Sequence, residues 1–250
     1  MSDTEFKPNP GLIVERQAAI TLLTIDRTSR ANALDAALVE ALHVGVDSAQ
    51  ANGSRLLVLA GNGKNFSAGF DMSEIDRQSE GDLLLRMVRI EQLLQRVHHA
   101  PCATLAFAQG RNFGAGADLV LAASTRLCAP DATFRMPGLR FGLQLGTRRL
   151  AARIGAEAAR AMLEASQTID AERALGLGFV SAIAPRETWP DRIAQALERA
   201  TSLASDATRR LADATTADTR AIDMADLVAS ASTPGFKARM QAYRDARAST

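Results

Sequence analysis

The sequence predicts an α/β fold with a parallel sheet, followed by a helical C-terminal region. Apolar runs at residues 19–25 and 56–60 have the length of buried strands, and residues 35–52 between them repeat their apolar positions with a helical period. A strand, a helix and a second strand in this order are typical of layered α/β proteins. From Glu187 onward the chain is charged, rich in alanine and helical in pattern, which predicts the helical region.

The other elements follow from the same periodicities and from the positions of glycine and proline. Residues 14–16 are expected to lead into a strand that pairs with the first one. We expect these further segments in order: a polar turn at 27–30, a loop at 61–74, a long helix at 80–99, a strand at 102–108, a short strand at 125–128, an irregular stretch at 130–146, helix at 148–166 interrupted near Gly155, a short helix at 171–176, and a strand at 179–183.

Composition excludes several classes of protein. The chain has 250 residues and a net charge of +1, from 29 basic and 28 acidic residues, so it has no general attraction to nucleic acid or to a membrane surface. Its two cysteines, Cys102 and Cys128, lie in apolar surroundings and are expected to be reduced. No apolar run is long enough to span a bilayer, and the polar N-terminus lacks a signal layout. We therefore expect a soluble, cytoplasmic protein with no nucleic-acid or membrane partner.

The stretch around which the chain is organised is a glycine-rich turn after the strand at 102–108. Gly110, Gly114 and Gly116 fall within seven residues, and an apolar helix follows with Asp118 in its first turn. Such a turn leaves backbone N–H groups free to meet a negative charge, next to a carboxylate that can transfer protons. A tight turn with a helix-capping aspartate is the alternative interpretation.

A second glycine-containing loop follows the strand at 56–60, and other known motifs fail to match there. A dinucleotide-binding fingerprint would require a third glycine where Phe66 stands, and Ser67 lacks the preceding glycine of a hydrolase elbow. The histidines and cysteines show no metal-ligand spacing. The two glycine loops are thus the candidate site.

Read together, the two loops resemble those of the crotonase, or enoyl-CoA hydratase/isomerase, superfamily. Residues 66–71 match the F-x-A-G-x-D signature, and residues 110–116 match the G-x-x-x-G-x-G turn that opens a helix. The segments TIDRTSRANALDAAL and IDAERALGLGFVSAIAP are similar to two weaker family features. The resemblance covers about residues 12–185 in the family order.

The resemblance implies a crotonase-like stacked ββα superhelix with a helical C-terminal region. It implies an acyl-CoA-binding core domain at 1–190 and a helical trimerisation region at 191–250, in a homotrimer or homohexamer. The same tail is amphipathic, with Ile222, Met224, Leu227, Val228, Phe236 and Met240 as its apolar residues. Coenzyme A would enter as part of the substrate, with no metal or redox cofactor.

The resemblance also assigns site residues. The N–H groups of Phe70 and Ala115 would form an oxyanion hole for a thioester enolate, although the family usually has glycine at the position of Ala115. Asp118 would be the acid/base. The residues assigned to substrate binding are Arg27, Arg30, Ala31, Ala33, Ala68, Gly69, Asp71, Met72, Gly114, Pro137, Gly138, Phe236 and Lys237, and Phe113 and Met136 would extend the apolar acyl pocket.

The sequence departs from the family pattern at the second catalytic glutamate. Family hydratases use two glutamates; here the first is the shorter Asp118 and the second is Gly138. Arg135, Arg140 and Gln144 lie close in sequence and either supply a polar group or point outward. Single-carboxylate isomerisation is less affected by this loss than hydration is. Hydrolysis, decarboxylation or C–C cleavage of acyl-CoA, and a non-catalytic acyl-CoA-binding role, are the alternatives.

Overall fold

The computed structural model describes residues 6–9 and 11–248. Within this part of the chain the strands are β1 (Phe6–Asn9), β2 (Leu12–Gln17), β3 (Ile20–Ile25), β4 (Leu56–Gly61), β5 (Ala103–Ala108), β6 (Arg111–Phe113), β7 (Thr125–Cys128), β8 (Thr133–Arg135), β9 (Ile169–Asp170) and β10 (Ala182–Ile183). They form a seven-stranded sheet of order β1-β2-β3-β4-β5-β7-β10 and a three-stranded sheet of order β6-β8-β9.

The helices lie mainly between and after the strands of the large sheet. They are α1 (Ala36–Ala51), α2 (Glu80–His98), α3 (Ala115–Ala122), α4 (Thr147–Ile154), α5 (Ala156–Ala165), α6 (Ala171–Leu177), α7 (Trp189–Thr201), α8 (Ser205–Thr215), α9 (Arg220–Ala231) and α10 (Phe236–Ala248). Local signals set their starts. Asp35 accepts from the Leu38 N–H at the start of α1, and Ser79 and Asp82 form a reciprocal capping box at the start of α2.

The predicted parallel sheet is confirmed. β3 pairs with β4 in parallel, with Ile20 opposite Leu56, and β4, β5, β7 and β10 continue in parallel. Strand β4 is buried along nearly its whole length, as expected for a parallel strand covered on both faces. The carboxyl ends of β4 and β5 therefore lie side by side, and both glycine loops begin there.

The small sheet was not predicted, and two expectations need correction. The stretch at 130–146 contains β8 and a 3₁₀ turn at Gly138–Phe141, and the strand expected at 179–183 is reduced to Ala182–Ile183. Strands of two or three residues carry no periodicity of their own. They form because β6, β8 and β9 are brought together by the rest of the fold.

The last two helices fold back on their own chain. Leu227, Phe236 and Met240 are buried with Met87 of α2 and Phe141 in one apolar cluster. Half of the six apolar tail residues expected to drive assembly are therefore satisfied within the chain, while Ile222 stays 50% exposed. The division at residue 190 and the oligomeric state remain predictions. Among the described residues, none of the helices is both long and apolar enough to cross a membrane.

Candidate functional site

A cavity of about 340 Å³ opens where the two glycine loops meet. We call it the apolar cavity, because most of the side chains around it are hydrocarbon. Helix α10 and the segment before α4 close its other sides. Its lining consists of Ala68, Phe70, Met72, Met87, Phe113, Gly114, Ala115, Asp118, Met136, Pro137, Gly138, Leu139, Phe141, Leu143, Leu145, Thr147, Leu163, Tyr243, Arg244 and Arg247.

The loop after β4 requires a glycine where it approaches the second loop. Gly69 has φ +87°, and a Cβ added to it would lie 2.2 Å from the carbonyl oxygen of Phe113. The loop is also fixed on its other side, because the Ala68 N–H donates to Ala31 O and the Gly69 carbonyl accepts from the Leu34 N–H. Gly69 therefore allows two backbones to pack directly together.

The second loop is equally close to the first. A Cβ on Gly116 would lie 2.4 Å from the carbonyl oxygen of Ser67, and Gly114 has φ +52° where it precedes α3. The Gly114 N–H donates to the Arg135 carbonyl, and its own carbonyl accepts from the Asp118 N–H. The first turn of α3 is thus held in place beside the first loop.

This packing leaves two backbone donors at the cavity without partners. Within the described residues, neither the N–H of Phe70 nor that of Ala115 donates a hydrogen bond, although their neighbours do. Both residues line the apolar cavity. We call these two N–H groups the donor pair. The first N–H groups of a helix have no intrahelical acceptor, which explains why the Ala115 N–H is free.

One turn further along α3, Asp118 belongs to a buried group of three charges. Its Oδ1 accepts from Nε of Arg149 at 2.8 Å, and Nη2 of Arg149 donates to Oε2 of Glu91 at 2.8 Å. The side chains of Asp118, Arg149 and Glu91 are 0%, 3% and 1% exposed, respectively. We call Glu91, Asp118 and Arg149 the ion cluster. The carboxylate assigned to proton transfer is therefore held by an arginine at the edge of the cavity.

The electrostatics of the ion cluster follow from its burial. Burial raises the pKa of the Glu91 carboxyl above its usual range, even though Arg149 opposes this shift. Burial also disfavours the charge of Arg149, but the two carboxylates outweigh it and raise the pKa of the guanidinium. The arginine therefore stays charged at any pH at which the protein is folded.

Pro137 and Gly138 line the cavity where the family pattern has its second glutamate. A Cβ on Gly138 would lie 2.8 Å from the Leu143 carbonyl oxygen, so the shortened turn leaves no room for a side chain there. Of the three nearby candidates, Arg140 is exposed, Arg135 donates to the Ser166 carbonyl at 2.9 Å, and Gln144 donates to Asp226 at 3.1 Å. Asp118 is thus the only carboxylate among the described residues that line the apolar cavity.

Two hydroxyl groups at the cavity were missed in the sequence. The Oγ1 of Thr147 and the hydroxyl of Tyr243 are buried, and neither has a hydrogen-bond partner within the described part of the chain. Both residues line the apolar cavity. No local pattern marks them, because a threonine at a helix start and a tyrosine on an amphipathic helix are common.

The turn assigned to coenzyme A is well ordered by its own contacts. Arg27 donates to Asp71 at 2.9 Å and to the Ala33 carbonyl at 2.6 Å, and it pairs with Asp35 at 3.1 Å. Ala31 adopts a left-handed φ of 50°. Arg30 is exposed. The guanidinium of Arg27 is therefore engaged within the protein, which leaves Arg30 as the accessible arginine of this turn.

The two tail residues assigned to substrate binding, Phe236 and Lys237, differ in accessibility. Phe236 is fully buried in the cluster with Phe141. Lys237 donates through Nζ to the carbonyls of Asp76 and Gln78, at 2.9 and 2.7 Å. Any contact of Phe236 with a ligand would need α10 to move.

Comparisons with known proteins identify the family. The model of the family "Enoyl-CoA hydratase/isomerase" matches residues 15–238, which is most of the chain. The chain belongs to the enoyl-CoA hydratase/isomerase family. A Mycobacterium bovis relative named "Probable enoyl-CoA hydratase echA6" is 32% identical over 191 residues, covering 73% of this chain and 75% of the relative. The 2,3-dehydroadipyl-CoA hydratase of Escherichia coli is 31% identical, with 70% of each chain covered.

Solved structures confirm the predicted crotonase fold. A Bordetella parapertussis crystal structure, described under the enoyl-CoA hydratase/isomerase name, is 50% identical with a TM-score of 0.93, covering 94% of this chain and 98% of that one. An enoyl-CoA hydratase structure from Bacillus halodurans is 20% identical with a TM-score of 0.83, covering 93% of this chain and 100% of that one, and supports the fold.

Proposed function

We propose that the protein processes acyl-CoA thioesters by binding the thioester oxygen between the N–H groups of Phe70 and Ala115. The observation that carries this proposal is the donor pair: two backbone donors face one apolar cavity and have no acceptor within the described residues. A backbone N–H without an acceptor in the protein needs another partner, and a ligand oxygen supplies one.

The donor pair suits one chemical task. Removing a proton next to a thioester, or adding a nucleophile to its double bond, places negative charge on the carbonyl oxygen. Preorganised donors stabilise that charge in the transition state, and each is worth about 2.7–4 kcal/mol. The rest of the cavity, which is apolar and mostly hydrocarbon, fits an acyl chain.

Among the family reactions, we favour isomerisation of an enoyl thioester double bond, with Asp118 as the proton carrier. Isomerisation needs one group that removes a proton and returns it to another carbon, and Asp118 is the single carboxylate at the described lining. Arg149 fixes the position of this carboxylate through the 2.8 Å bond to Oδ1. Gly138 supplies no second carboxylate, which hydration in the family pattern would require.

Hydration is the second candidate, and one observation favours it. The buried Thr147 hydroxyl has no partner within the described residues and lines the same cavity, so it is able to hold a water molecule near the substrate. Relatives of the chain also carry the name of hydratases. Product analysis with crotonyl-CoA and a 3-enoyl-CoA separates the two reactions.

For coenzyme A itself, we propose contacts with the turn before α1. Arg30 is the exposed charge of this turn, and the backbone around Ala31 and Ala33 is left to meet the adenine. Calorimetry with acetyl-CoA tests this directly, and absence of binding at millimolar concentration would contradict it. A homotrimer or homohexamer remains our proposal for the assembly, and light scattering at micromolar concentration would show a monomer if it is wrong.

The donor pair is tested by removing one N–H with proline. Ala115 is the first residue of α3, a position where helices accept proline, so Ala115→Pro deletes the donor and keeps the helix. We expect turnover of the best enoyl-CoA substrate to fall by about 10²–10³-fold. Ala156→Pro is the matched control, because Ala156 also begins a helix after a positive-φ glycine and lies outside the cavity lining. Full activity in Ala115→Pro would refute the proposed oxyanion hole.

A further inference from the structure

A second cavity, of about 480 Å³, lies against the apolar cavity and has the opposite character. Four of the seven residues that line it are arginines: Arg135, Arg140, Arg239 and Arg247, with Ala242, Tyr243 and Ala246. Tyr243 and Arg247 line both cavities. We call it the arginine cavity. The two cavities therefore meet at helix α10.

The described part of the chain supplies no opposite charge to these arginines. Within the described residues, none of the four forms an ion pair with a carboxylate. Arg135 donates to the Ser166 carbonyl at 2.9 Å, and Arg140 donates to the Ala165 carbonyl at 2.8 Å. Their neighbour Arg244 differs, since it pairs with Asp76 and with Asp245. Four positive charges around one cavity repel each other unless an anion enters.

Arg247 stands at the boundary between the cavities. Its guanidinium lies 6.0 Å from the ring centre of Phe113 and 5.8 Å from that of Tyr243. Within the described residues it makes no hydrogen bond, so its donors remain free. Phe113 directly precedes Gly114 and Ala115, and Ala115 carries one N–H of the donor pair. A chain that passes over Phe113 from the donor pair would therefore reach Arg247.

Tyr243 adds a second polar group at this boundary. Its hydroxyl is buried and has no hydrogen-bond partner within the described residues. A buried hydroxyl without a partner is unfavourable, and an entering carboxylate would accept its hydrogen bond. Arginine and tyrosine donors at one boundary suit a carboxylate, since the guanidinium fork matches its two oxygens.

The turn assigned to coenzyme A contributes to neither cavity. No residue of the segment 27–34 belongs to the described lining of the apolar cavity or of the arginine cavity. An anion held by the four arginines would thus lie away from this turn, at the side of the apolar cavity formed by α10. This arrangement argues against the phosphates of coenzyme A as the occupant.

We propose that the substrate is an acyl-CoA whose acyl chain ends in a carboxylate, and that Arg247 and Arg140 bind this carboxylate. The proposal rests on the proposed acyl-CoA function and names its substrate class. The thioester would lie at the donor pair, the methylene groups in the apolar cavity, and the terminal carboxylate in the arginine cavity.

The test compares two saturated ligands of equal chain length, adipyl-CoA and hexanoyl-CoA, by calorimetry on the full chain. We expect adipyl-CoA to bind about tenfold or more tightly than hexanoyl-CoA, since a hydrogen-bonded charge pair contributes at least this factor. Arg140→Gln and Arg247→Gln should each reduce the ratio of the two affinities severalfold. Arg209→Gln is the control, because Arg209 is exposed on α8 and lines neither cavity. In this control variant, the ratio of the affinities for adipyl-CoA and hexanoyl-CoA should equal that of the parent.

Three results would overturn the proposal, and they have different meanings. Equal binding of both ligands by the parent would refute the carboxylate site alone and leave the acyl-CoA function intact. A loss of affinity for free coenzyme A in Arg140→Gln or Arg247→Gln, as large as the loss for adipyl-CoA, would assign the arginines to the phosphates. Failure of both ligands to bind would refute the acyl-CoA function as well.

Discussion

The donor pair and the ion cluster each include one residue from the first turn of α3, Ala115 and Asp118, and they satisfy their polar groups in opposite ways. The N–H groups of Phe70 and Ala115 have no acceptor within the described residues, whereas the charges of the ion cluster bind one another. The comparison shows that, of these two groups, the one without protein partners consists of backbone atoms. The carboxylate that residue type alone would select first is already bound to an arginine.

The difference has a simple geometric origin. Ala115 is the first residue of α3, where no preceding turn can accept its hydrogen bond. Asp118 is three residues later, and its side chain reaches toward the helix α4 that covers α3. A Cβ on Gly146 would lie 1.9 Å from Oδ2 of Asp118, which shows how closely this carboxylate is enclosed.

The largest effect is expected from breaking the ion cluster at its centre. Arg149→Met leaves two buried carboxylates without a counter-charge, and losing one partner of a buried ion pair costs about 3–5 kcal/mol. That is a large share of the total stability of a typical protein, about 5–15 kcal/mol. We therefore expect a strongly lowered unfolding free energy in urea titration.

The neighbouring residue provides the control for this variant. Arg148 also forms ion pairs, with Asp223 and Asp226, but it lies at the surface. Arg148→Met should cost no more than about 1 kcal/mol. If both variants lose the same stability, burial of the ion cluster has no special energetic role.

The second-largest effect is the loss of turnover expected when the Asp118 carboxylate is removed. It tests whether Asp118 acts in catalysis together with the donor pair. Asp118→Asn keeps the shape of the side chain and leaves Arg149 paired with Glu91, but it cannot accept a proton. Turnover of the best enoyl-CoA substrate should fall by about 10²–10⁴-fold, the usual contribution of a positioned acid or base. Acyl-CoA affinity and far-UV circular dichroism should stay close to those of the parent.

Two outcomes would change the comparison. Parent-like turnover in Asp118→Asn would make Asp118 a structural partner of Arg149 and move the proton carrier elsewhere. If the parent binds acyl-CoA but turns over none of the enoyl-CoA substrates tried, the non-catalytic binding role becomes the better account.

The smallest effect concerns the pH dependence of stability. It comes from His98, which lies beside the ion cluster. Nδ1 of His98 donates to the Ala122 carbonyl oxygen at 3.3 Å, and burial, followed by repulsion from Arg149 and Arg153, lowers the pKa of His98 to about 4. The unfolded chain takes up this proton near pH 6.5, before the folded protein does. Stability from this group is therefore complete above about pH 6.5 and is lost as the pH falls toward 4.

The size of this effect should be on the order of 1–3 kcal/mol, after allowance for partial solvent screening. Urea titrations of the parent and of His98→Gln between pH 7.5 and 4.5 measure it as the difference between the two stability curves. Curves that run parallel over this range would show that His98 titrates alike in the folded and unfolded states.

The sequence alone determined the backbone of the site. Strand and helix periodicities placed β3, α1, β4 and α2, and the glycines of the two loops marked the places where backbones pack without side chains. These signals are local: a glycine reports its own conformation and a periodic pattern reports one buried face. The family and its fold followed from them and are confirmed. The roles assigned to the donor pair remain predictions.

Only the tertiary structure decided which charges meet. Arg149 lies 31 residues from Asp118 and 58 from Glu91, and no local pattern indicates that the three side chains share one buried site. The arginine cavity likewise combines β8, a 3₁₀ turn and α10, and the small sheet needs the main fold around it. Pairing of side chains across long sequence separations depends on how elements pack, and the free energy of a buried charge depends on what surrounds it. For this reason the residue types were visible in the sequence, but their partners were not.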